Sequence, residues 1–169
     1  MKTCRKGYTL IQMLVAVAVI GVVALVVSPE IINSLEVRGL ENSAREVVSF
    51  LERAKFLAIK TKLNHRVRFD NSTGDWILRI EQETSAGVWD FVPGYRESML
   101  PPKYTLTLNL PAADPAVVFN PMGWVVNYDE NNHSIVLFSD RISRYNQPDQ
   151  REVIFYLGGS MRFIKTNST

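Results

Sequence analysis

Few side chains in this sequence of 169 residues could carry out chemistry. His65, His133 and Cys4 are its entire stock of imidazoles and thiols. Cys4 lies in the short basic stretch ahead of the apolar run, so the rest of the chain has two imidazoles and no thiol, too few for a Cys/His nucleophile or for the three or four ligands of a Cys/His zinc site. A Ser/His/Asp arrangement would have to recruit His65, which opens a strand-like run, or His133, which sits in a turn, and both contexts read as structural histidines. Asp129-Glu130-Asn131-Asn132 offers oxygens of the kind calcium takes, but clusters of this kind between strands bond their own backbone, and a turn is the reading adopted. No glycine-rich loop precedes a helix to cradle a phosphate. The sequence therefore points to a protein that is not an enzyme and needs no cofactor or metal.

The informative stretch lies at the N-terminus. A short basic leader with Lys2, Arg5 and Lys6 runs into Tyr8 to Val27, whose only polar residues are Thr9 and Gln12. About 20 apolar residues in a helix rising ~1.5 Å each suffice to cross a ~30 Å hydrocarbon core. Basic residues precede the span and only Arg38 follows it closely, so the leader is expected in the cytoplasm and the bulk of the chain outside it. A cleaved secretory signal would place small residues at the end of the apolar run, whereas Ala16-Val17-Ala18 lies in its middle. A plain single-span anchor fits the hydropathy. It does not account for the junction of Gly7 and Tyr8 at the membrane edge.

That junction, Lys6-Gly7-Tyr8-Thr9-Leu10-Ile11-Gln12, resembles the processing site of type IV pilins and of the pseudopilins of type II secretion. In that family a basic leader ends in Gly, and an aromatic residue becomes the methylated N-terminus. Thr-Leu, an aliphatic residue and Glu follow, and then an apolar helix. The resemblance implies that a prepilin peptidase cuts after Gly7 and that Tyr8 begins the mature chain. Pro29 matches the proline that many members carry past the apolar run. Gln12 departs from the pattern, since the family carboxylate is thought to pair with the N-terminal amine of a neighbour. A carboxylate in lipid is costly unless paired. An amide accepts a hydrogen bond without forming an ion pair, so Gln12 is either a tolerated near-isostere or the mark of a minor or terminal subunit.

Of the 19 Lys and Arg, three lie in the leader, while all 17 Asp and Glu lie beyond it, so the chain from Tyr8 onward carries a formal charge of −1. The basic isoelectric point belongs to the leader and signals no acidic partner. Beyond the apolar run, Leu40, Ala44, Val47, Leu51, Ala54 and Ala58 recur at helical spacing, broadened by Phe50 and Leu57. Glu41, Arg45, Glu52, Arg53, Lys55 and Lys60 take the other face, which predicts an amphipathic helix laid on a sheet. Pro29 is expected at a kink or in the first turn of a second helical segment.

From His65 the period becomes two. Residues 65–70 and 76–81 predict a hairpin, and further strands are expected at 88–92, 104–110, 116–119, 124–128, 134–139, 152–157 and 160–164, with Gly158-Gly159 turning the last hairpin. The fold class is α+β: a long N-terminal helix, transmembrane in its first half, packed on an antiparallel two-sheet β domain. The expected divisions are leader 1–7, transmembrane and assembly helix 8–28, amphipathic helix 29–62 and β domain 63–169.

Val118-Phe119-Asn120-Pro121-Met122-Gly123, and later Val153-Ile154-Phe155 to Gly159 to Arg162, are similar to two stretches of the GspH/FimT family of minor pilins and pseudopilins. The resemblance implies a helix on two small antiparallel sheets and a structural subunit of a pseudopilus or type IV pilus. Its implied partners are other subunits, met through the N-terminal helix, together with the peptidase and the inner membrane. Some members of this kind take part in DNA uptake through arginines near the last hairpin. Here Ser160 follows the hairpin glycine and only Arg162 and Lys165 remain as candidate phosphate contacts. Binding scales with the number of such contacts, so nucleic acid is not the expected partner.

Overall fold

The computed structural model describes residues 9–110, 114–145 and 147–168, with only the backbone described at 25–29. The chain falls into two units, Met1–Glu36 and Val37–Thr169. The α1 helix, Leu10–Thr61, contributes to both, and the backbone of Pro29 lies within it.

In the first unit every described side chain from Leu10 to Ala24 is exposed. The expected span begins at Tyr8, outside the described residues, and ends at Val27, whose side chain is outside them too. Among the described residues no helix is long and apolar enough to cross a membrane.

The second unit is built on the predicted stripe. Leu40, Ala44, Val47, Leu51, Ala54 and Ala58 have no exposed surface, and Phe50 and Leu57 retain 5%. The helix ends where Lys62 turns to a left-handed φ of 61° while its N–H still reaches the Ala58 carbonyl at 3.1 Å, a left-handed cap occupied here by a residue other than glycine.

Two antiparallel sheets face this stripe. The first has strand order β3-β2-β1-β6, formed by β1 (His65–Asp70), β2 (Ile77–Ser85), β3 (Val88–Phe91) and β6 (Ala116–Phe119), with β4 (Ser98–Met99) also pairing β2. The second has order β5-β7-β8-β9, formed by β5 (Thr105–Asn109), β7 (Ser134–Phe138), β8 (Gln150–Phe155) and β9 (Met161–Thr166). Register follows the pleat. Val67 stands opposite Ile80 and Val117, and Phe69 opposite Leu78, all facing inward. From the second sheet Leu106, Ile135, Leu137, Val153 and Phe155 join them in one core. Each such side chain contributes about 1.5–3 kcal/mol on burial, and among the described residues the buried members of the core run from Leu40 to Phe155, with Val37, Met161 and Phe163 packed against them.

The strand expected at 124–128 is absent. Only an isolated bridge from Phe119 to Val125 forms there. Asn127 explains it: its side-chain oxygen accepts the Val118 N–H at 3.1 Å and its amide donates to the Ala116 carbonyl at 2.8 Å. A side chain thus satisfies the β6 edge that a sixth partner strand would have used. The short α2 helix, Asp140–Ser143, and β4 were not anticipated.

Candidate assembly surface

The N-terminal candidates divide. Gly7 and Tyr8 lie outside the described residues, and of Pro29 only the backbone is described. Gln12 has a local role that the sequence reading missed. The Thr9 N–H donates to Gln12 Oε1 at 2.9 Å, and the Gln12 N–H reaches Thr9 Oγ1 at 3.4 Å. This reciprocal pair is a capping box, a Thr followed three residues later by Glu or Gln, and it satisfies orphan donors at the start of α1. The Thr9-Leu10-Ile11-Gln12 spacing was the available signal.

The two motifs of the β domain, far apart in sequence, meet in space. In the turn after β6, Asn120 Oδ1 accepts the N–H groups of Met122 at 2.9 Å and Trp124 at 3.0 Å, while Gly123 N–H bonds the Asn120 carbonyl at 2.8 Å. Gly123 has φ 81°, and a Cβ there would lie 2.8 Å from Ile59 Cδ1 and 3.1 Å from Lys55 Cε, so the turn rests on α1. Gly159, with φ 68°, turns the β8–β9 hairpin, and a Cβ on it would fall on the Gly123 carbonyl oxygen. Only glycine permits both the conformation and this approach of two backbones. Lys55 Nζ donates to the Gly159 carbonyl at 2.9 Å, and the Val125 N–H to the Leu157 carbonyl at 2.9 Å.

This bracing holds large apolar side chains in solvent. Phe56, Met122, Trp124 and Leu157 are each at least half exposed, and Ile59 is 40% exposed. Beside them a groove of about 360 Å³ runs between Glu52, Lys55, Phe56 and Ile59 on α1 and Gly159, Ser160 and Met161 on the hairpin. Lys60 lies 6.0 Å from the centre of the Phe56 ring. A rigid apolar surface of this kind suits recognition of another macromolecule better than chemistry.

The nucleic-acid candidates are not brought together. On β9 they stand three residues apart, so their side chains leave opposite faces of the strand. Arg162 is exposed opposite Ile154. Lys165 turns toward α1 and pairs with Glu41 at 3.2 Å. Arg45 on one side and Lys165 on the other hold the Glu41 carboxyl below its usual range. Of the other tail arginines, Arg144 pairs with Asp140. Arg151 is buried at 1% exposure, its Nη1 donating to the Pro148 and Gln150 carbonyls at 2.8 Å.

The remaining polar candidates are structural. His65 is fully buried with Nδ1 3.1 Å from the Leu63 carbonyl oxygen, and burial lowers its pKa. His133 packs against Tyr128, Phe155 and Tyr156. The Asp129 carboxylate accepts from the Asn131 N–H and the Asn132 amide, both at 2.9 Å, which makes the expected turn. Among the described residues no three His, Cys, Asp or Glu gather as a metal site would require. An ionic cluster on the outer face of the first sheet was also missed. Arg66 reaches Glu81 at 2.6 Å and Asp114 at 2.5 Å beneath the Trp89 ring. Cross-strand pairing of Arg66 with Glu81 places it there.

No model of a known protein family and no curated protein sequence matches this chain. Its fold, a helix on two antiparallel sheets, is that of minor pilins and pseudopilins of the GspH/FimT kind. The minor pseudopilin EpsH of the type 2 secretion system of Vibrio cholerae superposes with a TM-score of 0.57 at 18% identity, over 75% of this chain and 96% of that one. The type IV minor pilin FimU of Pseudomonas aeruginosa superposes with a TM-score of 0.54 at 17% identity, over 76% and 90%.

Proposed function

We propose that this chain is a minor pilin or pseudopilin, a structural subunit of a type II secretion pseudopilus or a type IV pilus. What carries the reading is a fold shared with EpsH over nearly all of that protein, in a chain that begins with a basic leader and the Gly7-Tyr8 junction. The apolar helix is stored in the bacterial inner membrane with the leader cytoplasmic and the β domain periplasmic. A prepilin peptidase removes residues 1–7 and Tyr8 is methylated. The helix then leaves lipid for the helices of other subunits, among which close packing replaces contact with acyl chains. The protein catalyses nothing, and its partners are subunits rather than nucleic acid.

Intact-mass analysis of the chain made in cells with and without a prepilin peptidase tests this. With the enzyme, the mature chain should begin at Tyr8 with one added methyl group, and Gly7→Val should block the cut. A membrane-associated chain that begins at Met1, or after Ala18, in cells with active peptidase would refute it.

A further inference from the structure

A second cleft, of about 440 Å³, opens beside α1 on a flank away from the apolar groove. Glu46, Phe50 and Arg53 follow one another at helical spacing and form one wall, and the loop 94–98 forms the other. The loop is fixed at both ends. The Tyr95 N–H donates to the Val92 carbonyl at 3.3 Å across the Pro93-Gly94 turn, where Gly94 has φ 87°, and Ser98 and Met99 pair with Leu78 and Ile77 of β2. The Ser98 hydroxyl also donates to the Glu46 carboxylate, which ties the loop to α1. The charges of the cleft are unevenly partnered. Glu46 is taken by Ser98, and Glu97 pairs with Arg79 of β2 at 2.9 Å. Arg53 and Arg96 are exposed, and among the described residues neither has a hydrogen-bond or ion-pair partner. Both guanidinium groups therefore line a cleft whose own carboxylates are engaged. We propose that this cleft binds a carboxylate side chain on an acidic segment of a partner protein, held between Arg53 and Arg96.

A carboxylate suits this lining better than a phosphate does. A guanidinium presents parallel N–H groups that match the two oxygens of a carboxylate. Phe50 and half-buried Tyr95 line the same cleft and offer apolar surface to the methylene stem of such a side chain. A dianionic phosphate would meet stronger repulsion from Glu46 and Glu97, and a nucleic acid needs several phosphate contacts along its backbone. The formal charge of −1 from Tyr8 onward draws no acidic partner from a distance, so recognition rests on the cleft itself. Because the loop is tied down before a partner arrives, little ordering cost opposes binding.

Isothermal titration of the full chain in a non-ionic detergent tests it, with acetylated and amidated hexaglutamate as the probe and hexaglutamine as its uncharged control. Hexaglutamate should bind with a Kd below about 1 mM, and hexaglutamine should not. Arg53→Gln and Arg96→Gln should each weaken binding about tenfold, as expected for loss of one charge-assisted pair. Arg141→Gln, at an exposed arginine of α2, should leave it unchanged. All three positions are exposed, so each variant should melt with the parent chain. No binding of hexaglutamate, or equal weakening by Arg141→Gln, would overturn the proposal. So would tighter binding of inorganic phosphate or of a short DNA duplex that is lost with Arg96→Gln, which would make phosphate the ligand. Binding at this cleft requires neither cleavage after Gly7 nor assembly with other subunits, so its failure would leave the subunit reading standing.

Discussion

Gly159→Ala tests the contact that joins the two motif turns. Two costs are separable at this position. A left-handed φ of 68° costs an L-residue about 1 kcal/mol relative to glycine. The added methyl would also overlap the Gly123 carbonyl oxygen, which is backbone in a turn pinned by Asn120, so it cannot swing away as a side chain would. The turns must part, straining the bonds from Lys55 to the Gly159 carbonyl and from Val125 to the Leu157 carbonyl. Overpacking of this kind costs about 2 kcal/mol. The total is about 3 kcal/mol, or roughly 9 °C in Tm for a chain of this size. Two further alanines separate the terms. Gly87 has φ 76° with open space around it and should lose only the conformational part, roughly 3 °C. Gly158 has neither a positive φ nor a neighbour within 4 Å and should shift by no more than about 1–2 °C. Melting of the full chain followed by tryptophan fluorescence reads all three. If Gly159→Ala melts no lower than Gly87→Ala, the two turns do not touch as described.

Leu51→Asp places an unpaired carboxylate where no surface is exposed, a cost of about 4 kcal/mol or more that should abolish the cooperative melt, while Phe56→Asp on the exposed side should leave it intact. A normal melt for Leu51→Asp would mean that α1 does not pack on the sheets. Burial lowers the pKa of His65 from its ordinary 6.5. The unfolded chain then takes the proton first, so stability is full above about pH 6.5 and is lost as pH falls toward the lower folded value. His65→Leu should flatten the dependence of Tm on pH between about 5 and 7, and an unchanged slope would remove His65 as its cause. Duplex DNA should bind no tighter than generic non-specific association, about 10⁻⁴ M at physiological salt. Micromolar, salt-steep binding lost on Arg162→Ala would instead identify a nucleic-acid surface.

The parts of the fold legible in the sequence are those in which one period repeats without interruption. The stripe from Leu40 to Ala58 is buried at every predicted position because six small or aliphatic residues at helical spacing have no other stable placement. The hairpin of β1 and β2 was readable from its alternation. The segment Trp124-Val125-Val126-Asn127-Tyr128 was misread because its apolar content suits a strand, whereas Asn127 bonds the β6 edge with its side chain. Arg151 carries a charge, yet it shares strand parity with Val153 and Phe155 and is buried with them. Parity outweighed charge there, because neighbouring carbonyls were within reach of the guanidinium.

Long-range proximity was the illegible part of the candidate site. Gly123 follows β6 at the edge of the first sheet, and Gly159 turns a hairpin of the second. Each reads alone as an ordinary turn glycine. Only the packing of both sheets on one helix brings them together over Lys55. Gln12 shows the opposite failure, in which a local role was hidden by expectation of a distant one. Its side-chain oxygen accepts the Thr9 N–H as a glutamate's would, so the capping box forms without a carboxylate, and an amide at this position suffices to begin the helix.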